Sequence, residues 1–426
     1  MVASGQREIK IQIPISSLHP RPTHGTMATI SEAYAAAVRH FQAGDMQRAE
    51  AICSQINLAA PDYSDAWYFR GLVHYSLGDR KQAIELIRRA LELSPDDAEA
   101  HNNLGVVLCS EGKHDEAMGS LQSALRLRPD YVEAHNNLGV ALKALGRPEE
   151  AIVHYRAAVR IDPDHADSYT NLGNVLSSQG RRDEAIVSFR LALDLDREHS
   201  VAKHMMAACT GADVPERASD QFVRTLFDKF AGSFEQALGR LDYRAPQLVS
   251  AAMAEELPNP SASLDVLDAG CGTGLCGPRV RPYARRLVGV DLSPAMLDKA
   301  RAAGAYDELV EAELTAFTKR EGNAFDVIVS VDTLIYFGAL EEVLAASANA
   351  TREGGHLVFT LEHASGDACE AGYRLDSSGR YQHAQDYVER TLDRAGFAVR
   401  RIDSEVLRRE RGQPVAGLVI TARKTH

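Results

Sequence analysis

Between residues 30 and 199 the large apolar positions return with one period. Leu104, Leu138 and Leu172 are 34 residues apart, as are Leu108, Leu142 and Leu176, and the segments HNNLGVVL, HNNLGVAL and YTNLGNVL repeat the same text. Small residues share the period: Gly71, Gly105, Gly139 and Gly173 on the first helix that each unit implies, and Ala49, Ala83, Ala117, Ala151 and Ala185 on the second. Ala90, Ala124, Ala158 and Ala192 form a further small-residue row. Small side chains let the paired helices approach, and Leu121, Tyr155 and Phe189 fill the space between them. Gly44, Gly78, Gly112, Gly146 and Gly180 mark the turns, while Pro61, Pro95, Pro129 and Pro163 end the second helices. Five units result. The first has Ala37 where the others have glycine, and the last ends in Arg197 where the others have proline.

The pattern changes after residue 200. His204, Met205, Met206, Ala207 and Ala208 read as a helix that closes the array, and Gly211 to Pro215 as a break. A helical region from Ser219 to about Leu241 carries Phe222, Leu226, Phe227, Phe230 and Phe234. It reads either as a helix packed on the next domain or as a lid carrying Phe230, Phe234 and Tyr243. From Leu264 strand-like and helix-like stretches alternate, which implies an α/β sheet. LDVLDAG runs into GCGTG, Val288 to Val290 lead into Asp291, and FDVIVSVDTLIYF is a near-continuous apolar run of the kind a buried parallel strand requires. EGGHLVFTLE, a helix over 384–394 and strands over 397–404 and 415–423 complete the series. The expected organisation is a leader over 1–29, repeats over 30–199, a connector with capping and lid helices over 200–262, and an α/β domain over 263–426. Met27 is an alternative to Met1 as the start.

Composition narrows the function classes. The formal charge is −12, with 59 acidic and 47 basic residues, which argues against a nucleic-acid footprint despite the local cluster Arg279, Arg281, Arg285 and Arg286. Six cysteines form no CxxC pair and no dense framework, so no metal site and no disulfide scaffold is expected, and the compartment implied is reducing and cytoplasmic. No apolar run is long enough for a membrane span, and the first 26 residues contain no signal-peptide core.

The chemistry concentrates at the glycine loop. Gly270, Gly272 and Gly274 let the backbone come close to a ligand, and Asp291 at the tip of the next strand suits the two hydroxyls of a ribose. Gly272, Gly274 and Gly277 also spell the GxGxxG of dinucleotide binders. Asp268, two residues before the loop, would face a diphosphate unfavourably but suits a ligand with an ammonium and a sulfonium. Cys271 reads as a small packing residue within the loop.

Trp67, Gly71, Ala83, Ala90 and Pro95 match the pattern of tetratricopeptide repeats, which the segment 30–199 resembles. Asp268-Ala-Gly-Cys-Gly-Thr-Gly and Gly-Val-Asp291-Leu-Ser-Pro resemble the first two motifs of class I S-adenosylmethionine-dependent methyltransferases, over about 220–424. Together they look like the bacterial repeat-containing methyltransferases. The resemblance implies an all-α superhelix joined to a Rossmann-like, mostly parallel seven-stranded sheet. It implies S-adenosylmethionine as cofactor, held by Asp268, Gly270, Cys271, Gly272, Gly274, Asp291 and Leu292, with Glu313 and Leu314 at the adenine and Ser330 and Val331 at the methionine end. Glu313 reads equally as an ordinary exposed acid. Phe234 stands where a tyrosine is common, which removes a hydroxyl.

A methyl transfer needs mainly positioning and exclusion of water, and a general base is optional. Asp332, Tyr336, Glu362 and His363 fall near strand ends, and Tyr373, Tyr381 and His383 follow, each with a structural reading beside the catalytic one. No catalytic residue is assigned. The stretch 407–414 carries three arginines, read as an acidic-substrate contact or as a solvated hairpin. Asn103, Asn137 and Asn171 recur on the repeats, with Asn102 and Asn136 beside two of them. They read as a ladder for a bound peptide or as contacts between repeats. Three functions follow: an enzyme whose repeats recruit a protein partner or substrate, a small-molecule enzyme whose repeats serve assembly, and a repeat scaffold with a non-catalytic cofactor domain. The methyl acceptor and the oligomeric state are not specified by the sequence.

Overall fold

The computed structural model describes residues 27–425 except 233, 240, 258, 365–370 and 411. The expected leader falls almost wholly outside them. The chain divides into two compact units, residues 1–175 and 176–426.

The first unit is all helical. The pairs Met27–Gln42 with Met46–Ala59, Ser64–Ser76 with Arg80–Leu93, Ala98–Ser110 with His114–Leu127, and Val132–Ala144 with Pro148–Ile161 follow one another, and Ala166–Ser178 begins a fifth. The glycines on the first helices are there for contact. A Cβ on Gly71, Gly105 or Gly139 would stand 2.6, 2.5 and 2.5 Å from Ile87, Leu121 and Tyr155 of the paired helix. Ala37, in the first pair, is fully buried. The turn glycines have left-handed backbone, φ 73 to 82° at Gly44, Gly78, Gly112 and Gly146, with open space where a Cβ would be at Gly44, Gly78 and Gly146. Asp45, Asp79 and Asp97 cap helix N-termini through their carboxylates.

The division between units falls inside Ala166–Ser178. The helices Arg182–Leu195 and Ser200–Thr210 therefore belong with the sheet. The closing helix is tied there by His204 Nε2, 2.8 Å from the Gly379 carbonyl, and by the His204 ring, whose centre lies 4.0 Å from that of Phe222 at a tilt of 31°.

The sheet contains β1 (Leu264–Ala269), β2 (Ala284–Asp291), β3 (Glu308–Glu311), β4 (Phe325–Ser330), β5 (Thr351–His363), β6 (Tyr373–Leu375), β7 (Tyr381–His383), β8 (Phe397–Glu410) and β9 (Gln413–Lys424). Its main body runs β3-β2-β1-β4-β5-β9-β8, and within that order β9 alone runs opposite to the other strands. This is the expected seven-stranded, mostly parallel pattern. The hairpin β6–β7, attached where β7 pairs with the end of β5, was not expected. β8 and β9 are also longer than the sequence suggests. Apolar layers cover both faces: Leu267, Val290, Phe325, Phe359 and Ile420 on one, Val249, Val266, Leu287, Val327 and Val358 on the other. Burial on both faces explains the continuous apolar text of β4. Among the described residues no helix is long and apolar enough to cross a membrane.

The expected lid is two helices, Asp220–Phe230 and Phe234–Gly239, with Ser219 capping the first. Before them the chain adds edge contacts to the segment after β4: the Ala218 N–H donates to the Tyr336 carbonyl at 2.8 Å, and the Gly338 and Ala339 N–H groups donate to Glu216.

Candidate functional site

A cavity of about 970 Å³, counted out to its open mouth, lies beyond the carboxyl ends of β1, β2 and β4. This is where ligands sit in open α/β sheets. Asp268, Gly270, Cys271, Gly272, Asp291, Leu292, Glu313, Leu314 and Val331 all line it. Gly274 and Ser330 do not. Gly274 packs against Ala300 and the Tyr306 ring, and Ser330 is buried with its hydroxyl donating to the Ala269 carbonyl at 2.9 Å, tying β4 to β1.

The loop geometry is set by its own hydrogen bonds. Gly270 and Cys271 donate N–H groups to the Val290 carbonyl, which turns the chain back over β2. Gly270 has φ 80°, and a Cβ there would meet the Thr333 hydroxyl at 2.0 Å. At Gly272, φ 54°, nothing lies within 4 Å of the Cβ position, so backbone is exposed to the cavity.

Asp291 accepts from the Gly272 N–H and the Ser293 N–H, both at 2.9 Å. Burial pushes its carboxyl up, against the pull of these backbone donors. Asp268 is more deeply sequestered. Its Oδ2 accepts from Tyr306 at 2.6 Å, while its Oδ1 is buried with no partner. Burial raises its pKa to about 7; the Tyr306 bond opposes the shift and Asp291 adds to it. Sequence reasoning missed Tyr306, which lies 38 residues away with no motif around it.

Glu313 lines the cavity and is not an idle surface acid. It caps the helix Leu314–Arg320, its two oxygens accepting from Thr315 at 3.0 Å and Ala316 at 2.7 Å.

Of the residues considered for acid–base work, Asp332 and Tyr336 line the cavity, and Glu362, His363, Tyr373, Tyr381 and His383 do not. Tyr381 is fully buried and donates to the Pro215 carbonyl at 2.7 Å; His383 is fully buried, 3.0 Å from the Gly338 carbonyl. Glu362 belongs to a buried ionic network. Arg408, 4% exposed, donates to Glu362, to Glu410 at 2.8 Å and to Asp332 at 3.0 Å, and Arg380 bridges Glu362 and Glu410 at 2.6 Å each. Arg408 therefore fits neither reading of 407–414, and Arg411 lies outside the described residues. Within the lid, Phe227, Phe234 and Tyr243 line the cavity, whereas Phe230 is 44% exposed. Asp228 accepts from the Ser293 hydroxyl at 2.5 Å, and Arg224 pairs with Glu311 at 3.0 Å, fastening the lid to the ends of β2 and β3. In the basic cluster, Arg281, Arg285 and Arg286 are paired with Asp307, Asp265 and Glu308.

On the repeats, the asparagine row bonds mainly to itself. Asn137 donates to Asn102 at 3.0 Å and Asn171 to Asn136 at 2.9 Å, while the buried Asn103 donates to the Tyr68 hydroxyl. These are bonds between successive units. Asn137 and Asn171 stay half-buried.

Residues 267–359 match the model of a methyltransferase domain, and residues 34–98, 71–132 and 130–198 match tetratricopeptide repeat models. The chain is a tetratricopeptide-repeat protein with a methyltransferase domain. That domain is 33% identical over 176 residues to the human methyltransferase-like protein 27, covering 39% of this chain and 63% of that protein. It is 29% identical over 148 residues to the ubiquinone biosynthesis O-methyltransferase of Ralstonia nicotianae, covering 33% of this chain and 62% of that one. A malonyl-acyl-carrier-protein O-methyltransferase of Serratia marcescens is 26% identical over 186 residues, 44% of this chain and 70% of that one. The chain thus spans less than two thirds of the length of the first two relatives. The cavity lies within the methyltransferase domain and its preceding lid.

Proposed function

We infer that the chain is an S-adenosylmethionine-dependent methyltransferase whose repeats bind a protein partner or a protein-borne substrate. The observation that carries the cofactor is the orphaned Oδ1 of Asp268, a buried acceptor in the cavity wall with no donor. Such an atom is costly unless a ligand supplies the donor. An ammonium does so, and a diphosphate does the opposite. The cofactor supplies, when bound, an electrophilic methyl group on a cationic sulfur.

The chain's own residues do the rest. Asp268 takes the ammonium. Asp291, held by the Gly272 and Ser293 N–H groups, keeps lone pairs for the ribose hydroxyls. The Glu313 cap sets Ala312 and Leu314 against the adenine edge, with Leu314 offering its backbone. Gly270, Cys271, Gly272, Leu292 and Val331 shape the wall, and Gly274 and Ser330 brace it from behind. The lid excludes water. Calorimetric binding of S-adenosylhomocysteine is expected at micromolar affinity. A chain that takes NADH and refuses the sulfur ligand overturns the reading.

The repeats' occurrence as an array favours protein recognition, since stacked repeats present an extended surface. Asn137 and Asn171 are the members of the row with exposed area for such a contact, and the buried Asn103 accepts from Asn102, which in turn accepts from Asn137. Removing residues 1–164 is expected to leave cofactor binding intact and abolish methylation of a macromolecule. Full retention of that methylation would favour repeats that serve assembly alone.

A further inference from the structure

Besides the residues assigned to the cofactor, the cavity is walled by Val223, Phe227, Phe234, Tyr243, Tyr336 and Phe337. Phe227 meets Tyr336 edge-on with ring centres 5.4 Å apart, and Phe234 at 6.1 Å. A wall of rings buries a flat apolar body well, and the few polar groups within it decide orientation.

Asp332 is a carboxylate lining the same cavity. Its backbone is left-handed, φ 52°, a conformation that costs a non-glycine residue about 1–3 kcal/mol and persists only where surroundings enforce it. Thr360 does so from two sides: its hydroxyl oxygen accepts the Asp332 N–H at 2.8 Å, and the hydroxyl donates to Oδ1 at 2.9 Å. Arg408 holds Oδ2 at 3.0 Å. The Tyr243 hydroxyl hydrogen-bonds the same carboxylate. A carboxylate offers about four lone-pair positions, so with Thr360, Arg408 and Tyr243 as donors one acceptor position remains.

The cations near the cavity are already spent. Arg408 and Arg380 face three carboxylates, Asp332, Glu362 and Glu410, so this network holds one more acid than base. Among the described residues lining the cavity the one cation is Arg217. It donates to Asp220 at 2.5 Å and lies in the field of Glu313 and Glu342. Four carboxylates, Asp268, Asp291, Glu313 and Asp332, line the same space. An anion entering here loses its water and meets like charge, whereas a hydrogen-bond donor finds a fixed acceptor.

On the methyltransferase reading, we propose that the methyl acceptor is an uncharged hydroxyl or amine on an apolar, ring-sized body, with its proton directed at Asp332, and that carboxylate acceptors are excluded. Asp332 is in this scheme a specificity-determining residue: it discriminates by accepting a hydrogen bond that a carboxylate acceptor does not offer. Discrimination of this kind is large, because a buried polar group left unpaired costs more than a lost apolar contact.

The test is calorimetry on the full chain with two matched probes, 4-phenylphenol and biphenyl-4-carboxylate, with and without S-adenosylhomocysteine. The phenol is expected to bind at least tenfold more tightly than the carboxylate. Asp332→Asn, checked for folding by circular dichroism, is expected to narrow that ratio to below threefold, and Thr360→Val to narrow it partly. Equal or tighter binding of the carboxylate, binding of neither probe, or an unchanged ratio in a folded Asp332→Asn protein overturns the proposal. The wild-type ratio decides the matter if the variants do not fold. Titration of the homocysteine ligand in the same protein reports separately on the cofactor: its failure beside an intact phenol preference counts against the cofactor and leaves the preference established.

Discussion

Tyr306 donates a 2.6 Å hydrogen bond to Oδ2 of Asp268, and its ring stands where a Cβ on Gly277 or Gly289 would be, 2.9 Å away in each case. One side chain thus accounts for two features of the loop. It half-satisfies the buried carboxylate, and it gives Gly277 a packing reason independent of any phosphate. The GxGxxG spelling is explained by a tyrosine ring as much as by a ligand.

If Asp268 holds the cofactor's ammonium as proposed, its pKa of about 7, raised by burial from an ordinary value of 3.8, makes cofactor binding pH-dependent. A cationic ligand prefers the ionised carboxyl, so affinity for S-adenosylhomocysteine is expected to fall as pH drops through about 7. Stability runs the other way. An acid whose pKa is raised on folding stabilises most below its unfolded value, and that contribution is lost as pH rises through the folded value. The ligand-free protein is therefore expected to lose melting temperature between about pH 4 and 7 from this group, and Asp268→Asn to flatten both profiles. Tyr306→Phe removes an opposing hydrogen bond and is expected to move the binding midpoint upward.

Asp291→Ala removes the acceptor for the Gly272 and Ser293 N–H groups together with the carboxylate assigned to the ribose. Affinity for S-adenosylhomocysteine is expected to fall at least tenfold, about 1.4 kcal/mol, with Asp291→Asn intermediate. Calorimetry reads both, and unchanged affinity in the alanine variant would remove Asp291 from the site.

Arg408→Met strands Asp332 without its guanidinium and leaves Glu362 and Glu410 to share Arg380. Breaking a buried ion pair on one side costs about 3–5 kcal/mol. The urea midpoint of the sheet-containing unit is expected to fall accordingly. The neighbouring Arg409, half-exposed and 4.0 Å from Asp242, is the control, with Arg409→Met within about 0.5 kcal/mol of wild type.

Gly105 and Leu121 are coupled by contact, since a Cβ on the glycine would lie 2.5 Å from Leu121 Cγ. Gly105→Ala is expected to destabilise the repeats through overpacking, and Leu121→Ala to cost about 2–5 kcal/mol through a cavity. The double variant should be more stable than the sum of the two losses predicts. Additivity, measured by urea unfolding, would show that the helices shift apart instead.

How legible each element was follows from the range of the interaction that makes it. The repeats were readable because every unit is built from a helix pair close in sequence, and a Gly-to-Ala spacing of twelve residues is enough to specify the pair. The glycine loop and Asp291 were readable because the chemistry lies within one strand–loop–strand segment. Glu313 lines the cavity, but its capping role was not legible, because Thr315 and Ala316 give no local sign of a helix start. The asparagine row was seen as a row, but its division between peptide and neighbouring repeat depends on distances between units.

The sequence by itself determined the repeat period, the two-part organisation, the strand order's parallel character and the glycine-loop residues, because these depend on periodicity and local backbone freedom. Only the tertiary structure decided which charges are buried together. Tyr306 reaches Asp268 across 38 residues, Arg408 reaches Glu362 across 46 and Asp332 across 76. An arginine in a hairpin text reads as solvated until the fold removes its water, and burial then turns it into the partner that holds Asp332 and Glu362.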